Sequence, residues 1–372
     1  MIAVQPRGLE GSTPLECEIP ADQSLIGLIN FGGKLKETCD QNIPGYTDNI
    51  NTETTAHDWD EVRKALGEEK ISLLGTSYGT YLASMYATKF PNNTDKVILD
   101  SGYNVDADTT EQLRGFDEAM ADFLTWVARH DATYHLGTTP EAVYARWSQR
   151  ITDETGASPT ITPPNATNLE RVSTDLKGLW TQITSGGGNQ VNSPTLLLTQ
   201  VYLGIPTEWP KLAKTIASPE PTVLPESLQT FEMAPMAPIV ICNDRNVPIR
   251  PTHLASGMWS QITGHPYATI HLIASGVLCA GAETKQPAPA ISGEKLAIKP
   301  LQIQGTRDPN TPYWNFQDMA QAMQSHVLTV EGPGHVQGLT GNKELNKIIG
   351  EYLRTGSTTE TKIAGIDPKP EP

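Results

Sequence analysis

Two periodicities alternate along this chain. Short apolar runs of strand type stand at Ile71, Leu73 and Leu74, at Val97 to Leu99, at Leu301 and Ile303, and at Val327, Leu328 and Val330. Between them, apolar residues recur at spacings of three and four, which is the pattern of helices with one buried face. Tyr81, Leu82, Met85 and Tyr86 make one such helix, ending before Pro91. Leu113, Phe116, Met120, Phe123 and Val127 make a longer one. Thr139 and Pro140 stand as N-cap and first residue of a third. Residues 169–183 and 206–217 predict two more, and Trp314 to Met323 another. The glycine run in "TSGGGNQ" and the prolines in "ASPEPT" read as loops. Strands alternating with helices predict an α/β fold with a parallel sheet. The opening "MIAVQPRGLEGS" is unusual, because Ile2, Ala3 and Val4 read as the end of a buried strand and Pro6 to Gly8 as the loop leaving it. The chain is expected to start in the middle of its fold.

The chemistry concentrates at "KISLLGTSYGTYLASMYATKF". Here Gly75-Thr76-Ser77-Tyr78-Gly79 joins an apolar strand, read as buried on both faces, to a helix. Strand, G-x-S-x-G, helix is a nucleophile elbow, in which the serine stands above the sheet near the positive end of the helix. The glycines answer a turn so sharp that Cβ atoms do not fit. The backbone N–H of Tyr78 then faces an oxyanion hole. An elbow requires an acid and then a histidine, in that chain order. Asp308 ends the strand of "LQIQGTRDPNTP", and His335 follows the next strand in "VEGPGHVQGL". Catalytic groups sit at such carboxyl ends of strands. Asp100 also ends a strand and stays an alternative acid. Asp308 read blandly is a turn residue before Pro309, and His335 is one of eight histidines. With Ser77, Asp308 and His335 in these roles the reaction is acyl transfer to water.

Composition narrows the rest. Hydrophobic residues make up 38% of 372, enough for a large core, and the formal net charge is −15. That charge argues against a nucleic-acid surface and gives no support to an anionic-membrane one. No apolar run approaches the ~18–20 residues of a membrane helix. Met1 is not followed by a signal-peptide pattern. The four cysteines, Cys17, Cys39, Cys242 and Cys279, form no C-x-x-C pair, which argues against zinc. Two disulfides and four free thiols both remain open on the residues alone. No metal or organic cofactor is implied.

"GTSYGTYLASMYATKFPNNTDKVILD", "PLQIQGTRDPNTP" and "EGPGHVQGL", with "PRGLEGSTPLEC" and "HDWDEVRKALGEEKISLLG", resemble the tripeptidyl aminopeptidases of actinobacteria. These are proline iminopeptidase-related serine peptidases of the α/β-hydrolase fold. The resemblance implies an α/β-hydrolase fold with a mostly helical cap insertion. Residues 1–105 would be the first part of the core, 106–293 the cap, 294–357 the second part of the core, and 358–372 a flexible tail. It carries the triad onto Ser77, Asp308 and His335. It implies a secreted or cell-wall enzyme that releases short peptides from free N-termini, with peptides as partners. "PIVICNDRN" resembles the cap motif with an acidic residue near the substrate's amine, so Asp244 is the candidate there, against the bland reading of a surface aspartate. Cys242 with Cys279 resembles the cap disulfide, and Cys17 with Cys39 a second one. The sequence departs from the family at Cys279-Ala280-Gly281-Ala282, where an aromatic residue is usual.

Against that family the opening stretch corresponds to the end of a fourth strand. Three strands, one helix and a His-Gly-Gly-type oxyanion loop are then expected before it, so that Ile2–Val4 has no neighbour unless it moves beside Ile71–Leu74. Two alternatives stand beside the exopeptidase: an esterase or lipase-like hydrolase with the same triad, and a truncated, catalytically silent protein that at most binds peptides.

Overall fold

The computed structural model describes residues 1–20, 25–103, 110–184, 193–229, 235–265 and 268–371. Cys17 and Cys39 are joined by a disulfide at the end of α1 (Phe31–Cys39). Helix α2 (Thr52–Ala65) follows, capped by the Asn51 side chain, which accepts the Thr54 N–H. The sheet starts only then, with β1 (Ile71–Thr76), helix α3 (Tyr78–Lys89) and β2 (Thr94–Asp100).

A long run of helices separates β2 from β3. It holds α4 (Thr110–Arg129), α5 (Pro140–Thr155), α6 (Asn168–Thr184), α7 (Pro194–Tyr202), α8 (Trp209–Ala217), α9 (Met236–Asp244), α10 (Pro251–Ile262) and α11 (Ala268–Ala274). Cys242 and Cys279 are bonded here. The chain then completes the sheet with β3 (Leu301–Arg307), α12 (Gln317–Met323), β4 (His326–Pro333), α13 (Lys343–Thr355) and β5 (Lys362–Ala364).

All pairings among the described strands are parallel, in the order β1-β2-β3-β4-β5. A parallel sheet needs a crossover between neighbours and cover on both faces. Leu73, Val97 and Leu99 point to one face, against Leu82, Met85 and Tyr86 of α3 and the two methionines of α12. Ile98, Ile303, Leu328 and Val330 point to the other, against Leu345, Ile348 and Tyr352 of α13.

The insertion has two parts with separate cores. Helices α4, α5, α7 and α8 bury Phe123, Trp126, Trp147, Trp209 and Leu212 together. Helix α9 instead packs on the N-terminal residues, with Met236, Ile239 and Val240 against Leu15, Leu35 and Ile50. Leu15, Leu35 and Ile50 thus share a core with part of the cap. Helix α6 lies inverted on the cap. Its small residue Gly178 abuts the Thr263 carbonyl and Thr160, while Leu169, Val172, Leu176, Trp180 and Ile183 face outward.

Three expectations change. Residues Ile2–Val4 form no strand, and Ile2 is 62% exposed. Strand β1 is not buried on both faces: it pairs only with β2 among the described residues, and Leu74 is 53% exposed. An edge strand needs only one apolar face, so the alternation Leu73-in, Leu74-out is what its position asks for. The segment 358–372, expected to be a flexible tail, forms β5 and then docks on the cap. The buried Trp126 indole donates to the Pro368 carbonyl at 2.9 Å, and the Glu371 N–H donates to the Tyr134 hydroxyl at 3.1 Å. The "TSGGGNQ" loop lies almost wholly outside the described residues.

The docked segment is testable. A chain ending at Ala364 leaves the Trp126 N–H buried without its acceptor, and should lose about 1–3 kcal/mol of stability, read as a lower urea midpoint. An unchanged midpoint would show that the contact contributes nothing.

Candidate active site

The elbow forms where β1 hands over to α3. Ser77 adopts φ 54° and ψ −128°, a region that non-glycine residues enter only when their surroundings impose it. Three hydrogen bonds impose it here. The Ser77 N–H donates to the Asp100 carbonyl at 3.0 Å, and the Ser77 carbonyl accepts the Thr80 N–H at 2.9 Å and the Thr80 hydroxyl at 2.6 Å. A Cβ on Gly75 would stand 2.2 Å from the Gly79 carbonyl oxygen, so only glycine fits there. A Cβ on Gly79 would meet nothing within 4 Å, so steric need explains the first glycine of the motif and not the second. The Tyr78 N–H opens α3, where a helix has no internal acceptor to offer it.

Asp308 follows β3 and is buried. Its Oδ1 accepts the N–H groups of Asn310 and Thr311, both at 2.9 Å, and its Oδ2 accepts the Thr311 hydroxyl at 2.8 Å. His335 follows β4 and sets Nδ1 at 3.0 Å from both carboxylate oxygens of Asp308. An Nδ1–H held this way leaves Nε2 as the free basic atom. Asp308 and His335 are thus brought together at the ends of β3 and β4, and Ser77 stands at the end of β1, with β2 between. No hydrogen bond joins the Ser77 hydroxyl to His335 among the described residues; such bonds commonly tighten only with substrate bound.

Asp100, the alternative acid, has another place. Its Oδ1 accepts the Gln337 N–H at 3.0 Å and its Oδ2 the Gly338 N–H at 2.7 Å, just beyond His335. Ser101 adds a bond from the Val336 N–H to its hydroxyl at 2.8 Å. These contacts hold the histidine loop through Val336, a β-branched residue at φ 59°. Burial pushes the Asp100 carboxyl up to about 6, partly offset by the two N–H groups.

The cap touches the same loop. The His335 N–H donates to the Gly204 carbonyl at 2.7 Å, and a Cβ on Gly204 would crowd Asn310 at 3.2 Å. Arg307, next to the acid, binds Asp122 of α4 at 2.8 and 2.9 Å and Glu118 at 3.0 Å. Gly204, Arg307 and the holding role of Asp100 were not found by sequence reasoning. Gly204 belongs to no motif, Arg307 stands inside the GTRDPNTP stretch with nothing there to announce its ion pairs, and the third needs the loop geometry.

Asp244 is not on the surface. It is buried at the end of α9, beside Thr52 and Tyr78, and burial pushes its carboxyl up to about 6. A cavity of about 480 Å³ inside the cap, walled by Asp117, Arg171, Asp175, Trp259, His265 and His271, contains none of Ser77, Asp308, His335 and Asp244. Among the described residues no helix is long and apolar enough to cross a membrane.

A serine on a strained strand-to-helix turn, an acid–histidine pair at the ends of β3 and β4, and a helical insertion between two parts of a parallel sheet define a capped α/β protein of hydrolase type. Residues 2–218 match the family described as alpha/beta hydrolase fold, and residues 265–364 match the family described as TAP-like protein. The chain belongs to the alpha/beta hydrolase fold family. It is 24% identical to the tripeptidyl aminopeptidase of Streptomyces coelicolor over 96% of this chain and 68% of that one. It is 26% identical to the serine protease Hip1 of Mycobacterium tuberculosis over 96% of this chain and 73% of that one. A solved thermophilic esterase from Thermogutta terrifontis aligns with 83% of this chain and 74% of its own, at 14% identity and a TM-score of 0.34.

Two outcomes are expected. Gly75→Ala should abolish activity or folding, while Gly79→Ala should leave the melting temperature nearly unchanged; equal effects would contradict the contact geometry. Asp100 has a folded pKa raised from 3.8 to about 6, so the native state favours its protonated form. Its contribution to stability is full below about pH 4 and is lost as pH rises through 6. The melting-temperature difference between wild type and Asp100→Asn should therefore change across pH 4–7, and a constant difference would refute the assignment.

Proposed function

We propose that this protein is a serine exopeptidase that releases short peptides, of tripeptide type, from free N-termini. The observation that carries the reading is the Asp308–His335 pair beside the Ser77 elbow, in a chain with a TAP-like match across the histidine loop. In this reading His335 Nε2 takes the Ser77 proton as Oγ attacks the scissile carbonyl. The Tyr78 N–H stabilises the oxyanion, and the imidazolium then protonates the leaving amine. Water, deprotonated by the same nitrogen, releases the acyl group. Asp308 holds the tautomer and stabilises the imidazolium. The cap over the sheet suits an exopeptidase, because something must end the cleft beyond the substrate's N-terminus. Two disulfides and the absence of a membrane-spanning helix among the described residues are compatible with an extracellular protein, and we place it outside the cytoplasm, secreted or at the cell wall.

A fluorophosphonate probe with mass mapping tests the nucleophile, and free against N-blocked tripeptide anilides test the specificity. Labelling at Ser77, its loss in Ser77→Ala, and faster cleavage of the free-amine substrate are expected. Asp308→Asn should lower kcat by roughly 10⁴, the scale seen when a triad acid is neutralised. Hydrolysis that survives Ser77→Ala would overturn the mechanism. Preference for the blocked substrate, or for simple esters, would point to an esterase.

A further inference from the structure

The "CND" run at the end of α9 makes three successive attachments. Cys242 is bonded to Cys279. The Asn243 side-chain amide donates to the carbonyls of Thr47 at 2.6 Å and Ile50 at 2.8 Å. Asp244 takes both polar groups of Thr52, with the N–H on Oδ1 at 2.9 Å and the hydroxyl on Oδ2 at 2.5 Å. A carboxylate at the C-terminal end of its own helix is unfavourable, but Thr52 is the first residue of α2. Asp244 therefore sits at the positive end of a second helix, which offsets the first dipole and part of the cost of burial.

The chain of bonds does not stop at Thr52. Its hydroxyl proton lies on Asp244, so its oxygen accepts from the Tyr78 hydroxyl at 2.5 Å. The Tyr78 ring packs edge-on against Tyr103, with centroids 6.1 Å apart, and borders both the α3 core and the α9 core. The amide of Tyr78 is the oxyanion donor of the proposed mechanism. The peptide unit that carries this N–H is thus held on one side by Asp100 and Thr80, through Ser77, and on the other by the side chain of Tyr78.

We propose that Asp244 is a positioning residue: acting through the Thr52 hydroxyl, it anchors Tyr78 and so aims the oxyanion donor. This rests on the serine-hydrolase reading of the site. It departs from a role at the substrate's amine, because Thr52 engages both carboxylate oxygens and the group is 4% exposed. The consequence is that the placement of α9 reaches the reacting carbonyl through one buried chain of three side chains. An oxyanion donor works only when its aim is held within tenths of an ångström, and full loss of one costs roughly 10²–10³ in turnover.

The test uses two substrates: p-nitrophenyl acetate, which has no amine, and a free tripeptide p-nitroanilide. Thr52→Val keeps the N–H bond to Asp244 and removes the hydroxyl. It should lower kcat by about tenfold, a fraction of full donor loss, by the same factor on both substrates and with KM little changed. Thr52→Ser should restore the rate. Tyr78→Phe should match Thr52→Val, and the double variant should be no slower than either, because both break one chain. Asp244→Asn should slow both substrates alike. Melting curves of all five variants separate misfolding from misaiming, and Tyr78→Phe and Thr52→Ser are mild enough to fold. A loss confined to the tripeptide substrate would put Asp244 at the amine and overturn the proposal, as would wild-type kcat in folded Thr52→Val. If the wild-type chain labels at Ser77 and turns over p-nitrophenyl acetate, the hydrolase reading stands whatever the variants do. If it does neither, that reading falls and takes this inference with it.

Discussion

Asp100 uses its two ends for two different loops. Its carbonyl takes the N–H of Ser77, and its carboxylate takes two N–H groups just past His335. A left-handed serine and a left-handed valine would each relax if released. One residue at the end of β2 opposes both relaxations, and it sets the distance between elbow and histidine loop by its own length. The neighbouring glutamine does the same for the acid. Gln304 accepts the Gly102 N–H at 2.9 Å and donates to the Thr311 carbonyl at 2.8 Å. The site is therefore a set of three loops tied across strand ends by buried polar side chains, each bonded where burial would otherwise penalise it.

Much of this was legible in the sequence because the sheet repeats a simple pattern. Short apolar runs followed by turn residues marked β1 to β4, and the elbow with the strand–turn–helix–strand–His context pointed to Ser77, Asp308 and His335. Thr139 and Pro140 stand where their cap geometry predicts, and the helix with Leu113, Phe116 and Met120 begins at Thr110. Other features escaped for physical reasons. The pattern Ile-Ala-Val is strand-like, yet without a partner a strand does not form, and Ile2 and Ala3 stay exposed. The polar "GIDPKPEP" looks like a tail, but a proline carbonyl serves a buried indole as well as any other acceptor. Asp244 next to Arg245 looks like surface, and only the approach of a second helix end shows why it is inside. Asp100 also ends a strand, but only Asp308 stands in the strand–turn–helix–strand–His context, and it is Asp308 that faces His335 Nδ1.

The cap meets the site from two sides with different fastenings. The half built on α4, α5, α7 and α8 reaches the histidine loop through Gly204 and the acid strand through the bidentate Arg307–Asp122 pair. The half built on α9 and its disulfide reaches the elbow through Asp244, Thr52 and Tyr78. The histidine loop and the elbow are thus supported by separate apolar cores. A packing defect in one half should disturb the loop it holds before the other, because close-packed cores pass strain on within themselves.

The docking of residues 365–371 has a mechanical side. The segment leaves β5 and ends on α4 and the Tyr134 turn, so the last strand of the sheet and the cap are joined by one strap. If the protein is held by its C-terminal end, a pull is delivered to the cap first. The Trp126–Pro368 and Tyr134–Glu371 bonds must part before β5 carries any load. Tension applied from that end would be felt at α4 and at its ion pair with Arg307, one residue from Asp308, while β1 at the far edge of the sheet stays slack.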